Sequence, residues 1–428
     1  MAARQSSLTR YRLLVFSATA WALASGIFLF DNNLFSQREK FQESDFIMTF
    51  YVAGHLALTG RANELYPPSD ARSFIDPPFD RAAHKLLPHL PKASTGAYMY
   101  IPLIAGFFAP FSLVDPNLSL FLWQLMSVVA LALSVTILSR VSAIKISELF
   151  FLSFLYGPVF LTLWAGQLGL GFGLLPLCIG YFLLLRQMPF AAGIVWSFLL
   201  LKPQYFFAPA FVALVNALTG RYRTLTGMSV GVVCLIVLTA AAFSTPLTIQ
   251  WLLSHRVSDA YFFSGLQGIP SHLLTGLPAN LLVLFPINQR EVVKLPLYAG
   301  AAAMWLFGFW FCSRFKKLQM AESAQISVTF VVGIVLSSLT LPHLLYYDLC
   351  ILLPAGVLLL AKDGPLPKAN GMRSIGVMGW LVVSGFLPLL LFFANQKLAP
   401  LLLELILLIL FVWLLKQLNQ FCKLTARA

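Results

Sequence analysis

Charge is the first thing this chain lacks. Only 11% of its 428 residues are Asp, Glu, Lys or Arg, less than half of the roughly 25% usual in soluble domains. A soluble globular protein is thereby excluded. Metal and redox motifs are missing too. The five cysteines (Cys178, Cys234, Cys312, Cys350, Cys422) are scattered, no CxxC spacing occurs, and the first four lie in apolar runs, where cysteine acts as a small buried hydrophobe. There is no HExxH, no phosphate-binding glycine loop and no nucleophile elbow in a credible context. The glycine-rich GQLGLGFG at 166–173 lies between apolar segments, where small residues permit close helix packing. The roughly ten-residue alternating segments of an outer-membrane barrel are likewise absent.

Long apolar runs are abundant instead. Hydrophobic residues make up 59% of the chain and aromatics 14%. Stretches such as 13–30 and 399–415 approach the roughly 20 residues needed to cross a bilayer, and a spanning backbone must satisfy its own hydrogen bonds. The expected fold is an all-α polytopic membrane bundle. The formal charge of +13 sits in short clusters between the apolar runs, which fits membrane orientation rather than nucleic-acid binding. The N-terminus resembles a signal peptide, with Arg4, Arg10 and Arg12 before an apolar run and Ala-Leu-Ala at 22–24. The run continues to Phe30, which favours a retained first span.

Taken as cytoplasmic markers, Arg4/Arg10/Arg12, Arg140/Lys145, Arg186, Arg221/Arg223, Arg314/Lys316/Lys317, Lys362/Lys368/Arg373 and Lys416/Lys423/Arg427 predict about twelve spans. These are 12–31, 117–138, 148–165, 168–185, 190–201, 205–219, 225–243, 295–313, 325–341, 344–361, 375–395 and 399–415, with both termini cytoplasmic. The blocks 98–113 and 271–286 break the alternation and read as partial or re-entrant elements. Residues 1–428 form one domain with two large outer loops, about 32–97 and 244–294. The first carries seven basic and seven acidic residues, so its charge does not set topology.

Polar groups at membrane depth are costly and usually functional. On this map they fall on one side: Asp45, Tyr51, His55 and Tyr66 in the first loop, then Gln167, Lys202, Gln204, Arg256, Asp259, His272, His343, Tyr347 and Asp348. Asp45 opens a helix in SerAspPhe, where Ser44 or Asp45 is a natural cap; the functional alternative is a carboxylate that takes a proton from an acceptor hydroxyl. Lys202, between two short apolar helices, either snorkels or meets an anion, with Gln204 as an added donor. In LPHLLYYDL, Pro342 breaks a helix. If helical, that stretch sets His343 and Asp348 about 140° apart and puts His343 and Tyr347 on one face. Arg256, Asp259 and His272 fit a charged loop face, His55 a helix surface, and His84 and His89 loop positions.

The stretch DFIMTFYVAGHLALTG at 45–60, LYPP at 65–68, YIPL at 100–103, Ala109–Pro110, Gly166–Gln167, KPQ at 202–204 and the run from His343 to Asp348 together resemble glycosyltransferase family 87. The ordered set extends over about 45–361. The resemblance implies a GT-C-type bundle of about 12 transmembrane helices whose extracytoplasmic loops carry short juxtamembrane helices. It implies a polyprenyl-phosphate sugar donor, with mannose the best-known sugar, a lipid or glycan acceptor, and inverting transfer. The enzyme would sit in a bacterial inner membrane, its site on the extracytoplasmic side, serving cell-envelope assembly.

By the same resemblance Asp45 is the catalytic base, Lys202 is a candidate for the donor phosphate, and the late motif falls on His343, Tyr347 and Asp348; the residues themselves add His343 and Arg256 as candidate phosphate cations and Tyr51, His55, Tyr66, Gln167, Gln204, His272, Tyr347 and Asp348 as candidate substrate contacts. Phe46 stands where many GT-C enzymes have a second acid, so neither a metal site nor any other cofactor is expected. The competing readings are a lipid-linked sugar transporter or flippase, for which polar residues strung across the bilayer and inverted repeats are missing, and a noncatalytic subunit of an envelope-glycan assembly complex.

Overall fold

The computed structural model describes residues 2–31, 44–68, 78–88, 90, 98–255, 271–315, 320–361, 365–366, 371–393 and 397–425. Arg256, Asp259 and His89 lie outside the described residues. The described chain is an α-helical bundle with one two-residue strand pair. Its helices are α1 (Ala2–Asp31), α2 (Phe46–Leu58), α3 (Pro78–Leu86), α4 (Pro102–Leu113), α5 (Pro116–Ser142), α6 (Ile146–Phe154), α7 (Gly157–Ala165), α8 (Gly169–Leu185), α9 (Pro189–Leu201), α10 (Pro203–Leu218), α11 (Arg223–Phe243) and α12 (Thr245–Ser254). Strand β1 (Leu274–Thr275) leads into α13 (Leu277–Leu282), α14 (Ile287–Ser313) and α15 (Glu322–Thr340). Strand β2 (Leu344–Leu345) then leads into α16 (Tyr346–Leu360), α17 (Met372–Phe392) and α18 (Leu398–Thr425).

Seven of these helices are long and apolar enough to span a bilayer, and the α6–α7 pair, bent by 65°, makes up to eight. The chain is therefore a multi-pass membrane protein. The expected count of twelve is not reproduced. The stretches read as spans 168–185, 190–201, 205–219 and 344–361 are apolar helices of 17 residues or fewer. At 1.5 Å per residue they reach about 20–26 Å, short of a ~30 Å hydrocarbon layer. All four stop at the same end of the bundle, where Gln167, Lys202 and the LPH segment interrupt them.

Glycines set the closeness of the packing at one point. A Cβ on Gly227 would lie 2.2 Å from the Phe190 carbonyl oxygen, and one on Gly193 would lie 2.2 Å from that of Thr224. Helices α9 and α11 thus meet backbone to backbone. Contact between Gly231 and Ser197 places the end of α9 near the middle of α11. The longer helix continues past Lys202 to Phe243, which packs on Gly106 of α4.

Two apolar clusters result. The larger fills the bundle. The smaller joins α2, α3 and α4 to Trp123 and Trp251, with Phe46 fully buried against Phe108, at 5.4 Å, and Trp123, at 6.4 Å, between ring centroids. The blocks 98–113 and 271–286 are short elements, as expected. The second pairs antiparallel with the late motif, Leu274 opposite Leu345 and Thr275 opposite Leu344, a strand pair that periodicity does not reveal. Helix α1 docks in the bundle, Trp380 Nε1 donating to Ser17 Oγ at 2.9 Å and Arg10 pairing with Glu148. Cys178, Cys312 and Cys350 are buried, whereas Cys234 is exposed on α11.

Candidate active site

The connections between helices sort by chemistry. Arg140, Lys145, Arg186, Arg221, Arg223 and Arg314 lie at or beside the connections of one end, where Arg221 bonds Glu322 at 3.1 Å. The α7–α8 and α9–α10 connections at the other end carry Gln167 and Lys202, and the α15–α16 connection leads into Asp348 in the first turn of α16. The start of α2 brings Asp45 to the same place.

Ser44 caps α2, its Oγ accepting from the Ile47 N–H at 3.3 Å, while Asp45 makes no cap bond. That leaves the Asp45 carboxylate to accept from Gln167 Nε2 at 2.8 Å and from the Tyr347 hydroxyl. Gln167 accepts from Lys202 Nζ at 3.4 Å through its other amide atom. Lys202 donates to Asp348 Oδ1 at 2.5 Å. Tyr205 donates to the same oxygen at 2.6 Å, and the Leu345 N–H to Asp348 Oδ2 at 3.0 Å. The ammonium also lies 4.9 Å and 5.1 Å from the ring centres of Tyr205 and Tyr347. Each Gln167 amide atom is committed, its donor to a carboxylate and its acceptor to an ammonium, so the amide orientation follows from its neighbours.

Gln167, Lys202 and Asp348 are at most 4% exposed, while Asp45 is only partly covered. Asp45 is thus the most exposed residue of this network. Burial raises its pKa above the usual carboxylate value and Asp348 adds to the rise; the Gln167 bond and Lys202 oppose it. With one ammonium against two carboxylates, the ionised network keeps one surplus negative charge.

The local fold supplies the mounting. Gly166 adopts φ +66°, and its carbonyl accepts from Trp123 Nε1 at 2.9 Å, which fixes the turn before Gln167. Gly169 and Gly173 leave room for Tyr205, whose ring lies 2.4 Å from where a Gly173 Cβ would stand. The glycine-rich stretch therefore seats the tyrosine that orients Asp348.

Two of the other expected site residues bond backbone carbonyls. The Tyr51 hydroxyl bonds the Val114 carbonyl at 3.1 Å and that of Tyr66 the Tyr100 carbonyl at 2.5 Å; both serve the smaller cluster. His55 is half-buried, its pKa lowered by burial and Arg61. Gln204 is half-buried and makes none of the bonds just described, because the 3₁₀ turn after Pro203 directs Tyr205 inward instead. His343 and Tyr347 do not share a helical face, since a strand and then a 3₁₀ turn separate them. His84 is helical, its Nδ1 3.0 Å from the Asp80 carbonyl oxygen. His272 is half-buried in the turn before β1.

Two residues, one in the network and one beside His343, went unnoticed in the sequence. Tyr205 follows Lys202 by three positions, a spacing that could have suggested it. His255 packs edge-on to Trp251 at 5.7 Å, and burial and then nearby His343 lower its pKa. No local pattern announces that pair. Among the described residues, no three of His, Cys, Asp and Glu gather as a metal site would require.

A model of glycosyltransferase family 87 matches residues 98–342, more than half of the chain. The match includes Gln167, Lys202 and Tyr205; Asp45, Tyr347 and Asp348 flank it. No curated protein and no solved structure matches the chain. With apolar helices of spanning length and a family match of this extent, the chain belongs to glycosyltransferase family 87 and is a membrane glycosyltransferase.

Proposed function

We propose that this enzyme transfers a sugar, mannose being the leading candidate, from a polyprenyl-phosphate donor to an acceptor hydroxyl on the extracytoplasmic side of a bacterial inner membrane. The observation that carries the reading is the carboxylate of Asp45, the most exposed residue of the network, held by Gln167 and Tyr347 and joined through Gln167 to Lys202. A donor whose tail stays in lipid and whose sugar must meet an aqueous acceptor suits a site at the recessed ends of short helices.

Asp45 removes the acceptor hydroxyl proton while the oxygen attacks the anomeric carbon from the face opposite the phosphate, so the centre inverts. Gln167 and Tyr347 hold the carboxylate as an acceptor. The lipid phosphate leaves with both electrons of the broken C–O bond, and its growing charge requires cations. Lys202 meets that charge by trading part of its bond to Asp348 for the phosphate, while Tyr205 and the Leu345 N–H keep Asp348 in place. His343, with His255 beside it, and Arg256 are further candidates for the phosphate. In this mechanism the protein's own cations do the work for which other enzymes recruit a metal.

Purified enzyme incubated with a panel of polyprenyl-phosphate sugars tests the reading. Transfer by the wild type, lost in Asp45→Asn, is the expected result. Transfer that survives Asp45→Asn rules out the base, and a protein that moves lipid-linked sugar across vesicles without transferring it rules out the reaction.

A further inference from the structure

At the end of the bundle away from Asp45 lies a cavity of about 460 Å³. Its walls include Gln187 at the α8–α9 turn, Asn216, Arg221, Arg223 and Thr224 at the α10–α11 turn, and Glu322 at the start of α15. The transfer chemistry uses none of these residues.

The cavity is built for an anion. Helices α8 and α10 end here, but turn bonds already engage their last carbonyls: Gln187 N–H to Leu184 at 3.0 Å, Met188 N–H to Leu183 at 2.9 Å, Gly220 N–H to Ala217 at 2.9 Å and Arg221 N–H to Asn216 at 2.8 Å. Helices α9 and α11 begin here, and neither has a side-chain cap. Their first N–H groups and the positive ends of their dipoles thus outweigh the negative ends of α8 and α10. The Thr224 hydroxyl is buried and has no hydrogen-bond partner among the described residues, although burying an unpaired hydroxyl is costly. Glu322 is the one acid in the wall and is engaged by Arg221, which leaves Arg223, exposed at the first turn of α11, as surplus positive charge.

The rim indicates the source of the anion. Tyr222 in the wall, and Met188, Phe190 and Leu218 next in sequence to or near wall residues, are exposed apolar side chains, Leu218 at 68% and Tyr222 at 63%. A mouth framed by apolar groups at the end of a membrane bundle faces lipid at headgroup depth.

We propose that this cavity binds the phosphate of an anionic phospholipid headgroup, held by Arg223, Thr224 and the α11 N-terminus, with Arg221 as the second cation. The site is independent of the reading of Asp45.

The test uses full-length, delipidated protein in detergent. Thermal unfolding and lipid retained by mass spectrometry are measured with phosphatidylglycerol, with phosphatidylcholine, and with inorganic phosphate alone. Variants are Arg223→Gln and Thr224→Val, the latter nearly isosteric, and melting of each without lipid verifies its fold. The expected result is preferential retention of phosphatidylglycerol, reduced roughly tenfold by Arg223→Gln, less by Thr224→Val, with little protection by inorganic phosphate. Protection by inorganic phosphate equal to that by phosphatidylglycerol, and lost in the same variants, overturns the lipid source. Equal retention of both lipids, or a preference unchanged in both variants, overturns the site.

Discussion

Asp45 carries two opposing demands. As a base it must ionise, yet burial favours its neutral form. Activity should therefore fall with acidification through a pKa above the usual Asp value, and Asp45→Asn should lower turnover by ~10²–10⁴-fold. The same substitution should leave thermal stability equal or higher. Because the folded-state pKa is raised, ionising Asp45 costs stability; the cost is absent below the unfolded-state pKa and complete above the folded one. Melting of wild type minus Asp45→Asn across acidic to neutral pH should show wild type losing ground as pH rises through that window. Lys202 and Asp348 behave oppositely. Removing one partner of a buried ion pair costs about 3–5 kcal/mol, whereas removing both costs less. Lys202→Met and Asp348→Asn should each destabilise strongly in chemical unfolding, and the double variant should be more stable than the sum of the two predicts. Asp45, Gln167, Lys202, Tyr347 and Asp348 were legible in the sequence because polar groups in so apolar a chain stand out. Tyr51 and Tyr66 stood out in the same way, but the backbone carbonyls that their hydroxyls bond could not be read from the sequence.

Helices α8, α9, α10 and α16 are too short to span alone, and the shortness has a use. Each stops where a site residue must sit, so Gln167, Lys202 and Asp348 occupy a recess beside longer helices such as α11. The α9–α11 contact sets its depth. Gly227→Ala would bring a methyl group 2.2 Å from the Phe190 carbonyl oxygen, and neither backbone can yield without shifting a helix. A loss on the order of 1–3 kcal/mol is expected, read as a lower midpoint of unfolding, with transfer impaired because Lys202 rides on the end of α9. Tyr205→Phe keeps the ring between Gly169 and Gly173 but removes a hydrogen bond to a charged group, worth roughly 1.5–3 kcal/mol. Apolar runs alone put these helices at spanning length, because hydropathy reports composition and not where a turn tightens.

For the whole molecule the sorting of charge is decisive. One end gathers cations and ion pairs such as Arg221–Glu322; the other gathers the Asp45 network. By the positive-inside tendency the cationic end is expected in the cytoplasm. A membrane-impermeant thiol reagent should then label Thr59→Cys in intact cells and Arg186→Cys only after permeabilisation. The reverse pattern would put the site in the cytoplasm and remove the proposed donor geometry. The 244–294 segment is tied to the network through β1 and β2 and to the 44–68 segment through Gln250, whose amide donates to the Tyr66 and Pro67 carbonyls.

Composition by itself determined that this chain lives in a membrane as a helical bundle, because so little charge and so much apolar surface have no other stable solution. The order of polar interruptions along it also revealed which residues to watch. Only the tertiary structure decided which of them meet. Asp45 and Asp348 are 303 positions apart, and whether their side chains join one network through Gln167 and Lys202 depends on helix length, a turn at Gly166 and the close packing of glycines, none of which is expressed in the local pattern around either aspartate.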